Sequence, residues 1–141
     1  MDFNDAEHQS FFAAMMRHNG IAAFFLFGSH ARGRVRRDSD LDLAYLPSRD
    51  LSSTEEDAVH LALMDHVKCD RLDVVNLRAA PLLLRFAVIR HGRCIAARNP
   101  DAVTQFIFET RRDYLDTQYL RAVFARYQQQ RIAHGAFGAA R

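Results

Sequence analysis

The sequence predicts a single α/β (α+β) domain, and three features carry that expectation. Amphipathic stretches of helical period alternate with short apolar runs of strand length. The chain is 141 residues long, about the size of one ordinary domain, and 49% of it is hydrophobic, which is enough for one core. No linker, internal repeat or low-complexity segment divides it. Residues 1–141 are therefore read as one domain: a core over about 5–97, a C-terminal helix over about 101–127 and a Gly- and Ala-rich tail at 131–141 that is expected to fray.

The elements follow in order. Asn4 or Asp5 can cap a first helix with apolar positions Phe11, Phe12, Met15 and Met16, which Asn19-Gly20 ends. Ile21 to Phe27 is an unbroken apolar run closed by Gly28, the pattern of a strand buried on both faces. A short basic turn from Ser29 to Asp38 leads into Ser39 to Leu46, where polar and apolar residues alternate at first as in a second strand, and Pro47 closes it. Ser52-Ser53-Thr54-Glu55-Glu56 offers a cap and acidic first-turn residues to a helix through Val59, Leu63 and Val67. Arg71 to Leu77 reads as a third strand, Ala80 to His91 as a helix with Pro81 in its first turn, and Arg93 to Ala97 as a short fourth strand. From Asp101 to about Tyr127 the apolar spacing predicts one long helix.

Composition narrows the function classes. Charged residues make up 26% and aromatics 11%, no apolar run approaches a membrane span, and Met1 leads into an acidic, polar stretch, so a cytoplasmic protein is expected. A net charge of +2 does not mark the whole molecule as a nucleic-acid binder, although Arg32, Arg34, Arg36 and Arg37 cluster locally. Arg36 and Arg37 are read as solvating a loop. Cys69 and Cys94 are too few for a disulfide framework. Each follows a histidine by three residues, His66 and His91, but each pair straddles a helix end and a strand start, so thiols are expected rather than a split zinc site.

The chemistry concentrates in three acids and a turn. Asp40 and Asp42, two residues apart on a strand, project from the same face with backbones ~7 Å apart, a span across which two carboxylates can share a pair of cations lying ~4 Å from each other. Like charges held so close repel, and divalent cations resolve the conflict. Asp73 lies in the next strand, where an acid has no place unless it faces solvent or a ligand, and it can complete the site if the two strands are neighbours. Carboxylate oxygens suit Mg²⁺, which fills its remaining positions with waters and substrate phosphates, so a nucleotide triphosphate is the predicted ligand. Gly28 allows a sharp turn and close approach, Ser29 can cap the next turn with N–H groups aimed at an anion, Arg32 is the nearest guanidinium and Gly33 frees the chain to turn again.

Gly28-Ser29-His30-Ala31-Arg32-Gly33, five residues, then Ser39-Asp40-Leu41-Asp42-Leu43 closely resembles the signature of the minimal nucleotidyltransferases of the polymerase-beta superfamily, and Asp73 stands where that family's third acid is expected. The resemblance implies a small mixed sheet with helices packed on one face and a long C-terminal helix. It implies catalysis with two Mg²⁺ ions and ATP as donor: Asp40, Asp42 and Asp73 are the metal-binding and catalytic residues, and Gly28, Ser29, Arg32, Gly33 and Ser39 bind the nucleotide. Ala80-Pro81-Leu82-Leu83-Leu84-Arg85-Phe86 and Tyr114-Leu115-Asp116 look like segments of the antitoxins in MNT/HEPN toxin–antitoxin pairs. For that group the resemblance implies transfer of AMP from ATP to a tyrosine of a helical HEPN ribonuclease, which silences it, with no direct nucleic-acid or membrane contact and a second copy left open as a partner.

Rival readings share much of this ground. A small-molecule nucleotidyltransferase modifying an antibiotic hydroxyl would use the same catalytic residues, but such enzymes usually need an added helical domain or a dimer to build the acceptor pocket. A non-catalytic antitoxin would have no use for three intact acids. A ribonuclease built on Arg85 and His91 would be all-helical, whereas this chain has strands. Phe106, Ile107, Tyr114 and Phe124 on the last helix read as core more readily than as interface, although so small a domain cannot enclose every face of so long a helix.

Overall fold

The computed structural model describes residues 1–28, 31 and 40–135. Helix α1 (Ala6–His18) starts at Asp5, whose carboxylate accepts the His8 N–H at 2.8 Å. Strand β1 (Ile21–Phe27) follows directly, and β2 (Leu41–Pro47) runs antiparallel to it. Helix α2 (Ser53–Val67) carries a full capping box: Ser52 accepts from the Glu55 N–H and Glu55 reaches back to the Ser52 N–H. Strand β3 (Leu72–Asn76) lies parallel to β2, the orientation that a helical crossover permits. Helix α3 (Leu82–His91) leads into β4 (Arg93–Ala97), which pairs antiparallel with the other edge of β1. Helices α4 (Pro100–Asp116) and α5 (Gln118–Ala133) complete the described chain.

The strands form a four-stranded mixed sheet in the order β3-β2-β1-β4. On one face Phe24, Leu26, Leu41, Leu43 and Tyr45 pack with Phe12, Met15 and Met16 of α1 and Val59, Leu63 and Val67 of α2. On the other, Ala23, Phe25, Ala44 and Leu46 pack with Val88 of α3 and, at the margin, with Val103 and Phe106 of α4. Helices thus cover both faces rather than one. The unbroken apolar run of β1 is the cause, since its inward and outward residues alike must leave water.

The expected single helix over 101–127 is two. Thr117 separates them with φ −93° and ψ 0°, and its hydroxyl donates to the Asp113 carbonyl at 2.9 Å and the Tyr114 carbonyl at 3.3 Å. A threonine hydroxyl that binds the preceding turn bends a helix without any glycine or proline. The stripe on this segment divides at that point: Phe106, Ile107 and Tyr114 are half-buried, whereas Phe124 is exposed, and no residue of α5 is buried. Pro81 caps α3 from outside instead of sitting in its first turn. Residues 136–141 of the anticipated tail lie outside the described residues.

Candidate active site

Sheet register aligns the acids. Asp42 of β2 stands opposite Asp73 of β3 and, on its other side, opposite Phe27 of β1. Strand alternation fixes the face: Leu41 and Leu43 enter the core beneath α1 and α2, so Asp42 shares the opposite face with Ala44 and Leu46. Asp73 likewise alternates with Leu72 and Val74 and sits on the side of Val75. Asp40 directly precedes the first residue of β2 and is exposed. The Leu41 N–H donates to the Arg71 carbonyl at 2.8 Å, which locks the start of β2 to the start of β3 and sets both acids in step.

Helices α3 and α4 cover Ala44 and Leu46 at the far half of β2. The near half is left open, with Asp40 and Asp73 exposed and Asp42 half-buried. Neighbouring strands lie ~4.8 Å apart, so the Asp42 and Asp73 carboxyl groups rise from adjacent backbone positions. Among the described residues no three His, Cys, Asp or Glu side chains form a ready-made cage for an ion. Asp42 and Asp73 instead stand in register on adjacent parallel strands, with Asp40 just before the start of β2.

Gly28 ends β1 at φ 72°, and a Cβ there would lie 2.1 Å from Oδ2 of Asp42. The absence of a side chain lets the Asp42 carboxylate lie directly against the backbone turn. Ser29, Arg32, Gly33 and Ser39, predicted to hold the nucleotide, lie outside the described residues, as does His30.

The remaining sequence candidates go elsewhere. His66 Nε2 meets His8 Nδ1 at 2.8 Å and its ring stacks on Phe11 at 3.8 Å, so its partner is α1 rather than Cys69. The Cys94 thiol donates to the Ala96 carbonyl at 3.5 Å, and burial raises its pKa. One arrangement escaped sequence reasoning. Tyr114 is clamped between the Phe86 ring, 3.6 Å away and nearly parallel, and the Arg121 guanidinium, 3.8 Å from its centroid. The seven-residue spacing of Tyr114 and Arg121, two turns along one helical face, was the available signal, but the packing of α3 that brings Phe86 onto the other side of the ring was not visible.

Comparison with known proteins meets this geometry. The sequence model of the family described as polymerase beta, nucleotidyltransferase, matches residues 12–101, from α1 through all four strands. The chain belongs to that family. Among solved structures, this nucleotidyltransferase is similar to a chain in the crystal structure of a toxin–antitoxin with AMP-PNP, at 24% identity and TM-score 0.71, covering 86% of this chain and 98% of that one. It is similar to a chain from the tri-AMPylated Shewanella oneidensis HEPN toxin in complex with MNT antitoxin, at 20% identity and TM-score 0.67, covering 86% and 95%. A minimal nucleotidyltransferase matches at 31% identity and TM-score 0.51 over 60% of this chain and 84% of its own. No curated protein sequence matches the chain. These likenesses share the fold, and the nucleotidyltransferase family match covers Gly28, Asp40, Asp42 and Asp73 alike.

Proposed function

We propose that this nucleotidyltransferase is an antitoxin that transfers AMP from ATP to a tyrosine hydroxyl of a cognate HEPN ribonuclease, and so silences it. The observation that carries the reading is the register of Asp42 with Asp73, with Gly28 against the Asp42 carboxylate. An aligned pair of hard oxygen donors on an open sheet end fits Mg²⁺ and repels itself without a cation. Family membership supports the transfer chemistry, and the relatives solved with AMP-PNP and with an AMPylated HEPN toxin support the donor and acceptor classes.

In this proposal Asp40 and Asp42 would hold two Mg²⁺ ions, and Asp73 would complete the set. The ions, when bound, supply charge neutralisation at the phosphates. Asp73 takes the proton of the tyrosine hydroxyl as the phenolic oxygen bonds to the α-phosphorus. The bond from that phosphorus to the bridging oxygen of the β-phosphate breaks, and pyrophosphate leaves. The Gly28 turn with Ser29, Arg32, Gly33 and Ser39 would grip the triphosphate in line with the attack.

The test combines radiolabelled ATP, Mg²⁺, the chain and a candidate HEPN ribonuclease partner, followed by intact mass measurement. The parent protein is expected to add AMP to a tyrosine. Asp40→Asn with Asp42→Asn should bind the partner yet transfer nothing, and Asp73→Asn should bind nucleotide but transfer at least ~10²-fold more slowly. Silencing of the ribonuclease by parent and variants alike, without any mass gain, would establish a purely binding antitoxin. Transfer to an antibiotic hydroxyl alone would establish the small-molecule reading.

A further inference from the structure

Helix α5 is anomalous for a domain of this size. It is 16 residues long and buries none of them. Leu120, Val123, Phe124 and Tyr127, at i, i+3, i+4 and i+7, form one stripe with exposures of 65%, 44%, 61% and 54%. An isolated helix of that length is marginal in water, and a helix with such a stripe normally buries it. The start of α5 is nevertheless fixed. Arg121 stacks on Tyr114 and donates to its carbonyl at 2.7 Å and to the Thr117 hydroxyl, while Phe86 holds Tyr114 from the other side. A fraying tail needs no such joint. The joint sets the direction in which the apolar stripe leaves the body.

Charge selects the occupant. Arg121, Arg126 and Arg131 are the only charged residues of α5, and it has no Asp or Glu. On the helical wheel Arg121 and Arg126 flank the stripe on opposite sides, and Arg131 continues its line at the end. A second copy seated on α5 would bring arginines against arginines. The exposed apolar groove of α4, at Phe108 and Leu115, is itself lined by Arg111 and Arg112, so it offers another copy no better complement. The polar side of α5 is largely glutamine, whereas helices that lie on anionic membranes carry dense Lys and Arg there. An apolar stripe between cations fits an apolar groove rimmed by carboxylates.

We infer that α5 is a docking arm that seats Leu120, Val123, Phe124 and Tyr127 in a carboxylate-rimmed apolar groove of the helical HEPN partner. The inference rests on the proposed function for the partner's identity. The site of transfer and the site of docking are separate: the acids lie in the strands, and α5 lies wholly beyond the family match at residues 12–101.

The experiment uses the full chain and the HEPN ribonuclease that serves as partner in the transfer assay, with binding followed by titration, association state by sedimentation and transfer by mass. Leu120→Ser with Phe124→Ser should weaken binding at least ~100-fold, the scale of two central hot-spot residues. The melting temperature should not move, because neither side chain is buried. Arg126→Glu with Arg131→Glu should weaken binding about 10-fold and flatten its salt dependence. Transfer at saturating partner should keep its kcat while the apparent KM rises. Parent-like binding by the apolar variant, with parent transfer intact, would overturn the docking arm and leave the proposed function standing. Parent chains that self-associate through α5, or that bind phosphatidylserine vesicles in an α5-dependent way and not the HEPN protein, would also overturn it. A parent chain that ignores the HEPN protein altogether would remove the proposed function and the docking partner together.

Discussion

Gly28 meets two constraints at once. Its φ of 72° lies where a side chain is strained, and any Cβ would collide with the Asp42 carboxylate at 2.1 Å. Gly28→Ala is therefore expected to cost about 1–2 kcal/mol of stability and to displace the carboxylate that the proposed chemistry needs. Denaturant titration should register the modest loss, and AMP transfer should fall at least ~10-fold, because misplacing a catalytic group slows chemistry more than it unfolds the protein. Parent-rate transfer by this variant would show that the close approach is incidental. The sequence made a glycine turn legible here, and Asp42 and Asp73 stood out as acids inside apolar strands. Which carboxylate the turn touches was not legible, because it depends on the antiparallel register of Phe27 with Asp42.

Between elements, the contact of α1 with α2 carries a pH dependence. The His66 ring is packed between Phe11 and His8, and burial first and the His8 ring second push its pKa below the usual histidine value, against weaker opposing pulls from Glu7, Asp5 and Asp65. The unfolded chain then binds this proton more readily than the folded one. The stability involved is present above the unfolded value of about 6.5 and is lost as pH falls through it towards the lower folded value. Melting temperature should drop between pH 7 and pH 5, and His66→Phe should reduce that slope. Glu55 does not contribute in this window, since hydrogen bonds from Arg49 and the Ser52 N–H lower its pKa to about 2. Caps were the most legible part of the elements, because the Ser52 and Glu55 box and the Asp5 cap are local in sequence. The bend at Thr117 was not, since its hydroxyl competes with an otherwise continuous helical pattern and carries no distinctive residue.

On the scale of the whole molecule, the proposed transfer site and the proposed docking arm lie on different elements. Asp42 and Asp73 sit at the open end of one face, with Asp40 just before β2, and α5 leaves the body from a joint on α3 and α4. Removing divalent cations with a chelator should therefore abolish AMP transfer while leaving the partner's affinity within about 2-fold, measurable by titration with and without added Mg²⁺. A large loss of partner affinity on chelation would show that the ions also organise the docking surface. The order of helices and strands, the acids and the turn that ends β1 were determined by the sequence, because helical period, strand alternation, caps and turn residues act over a few neighbouring positions. Only the tertiary structure decided that helices cover both faces, that β2 and β3 pair in parallel with Asp42 beside Asp73, and that the last helical segment bends at Thr117 and leaves its stripe exposed. Those outcomes depend on which distant surfaces meet, and because burial of apolar surface is non-directional an apolar run does not name its partner.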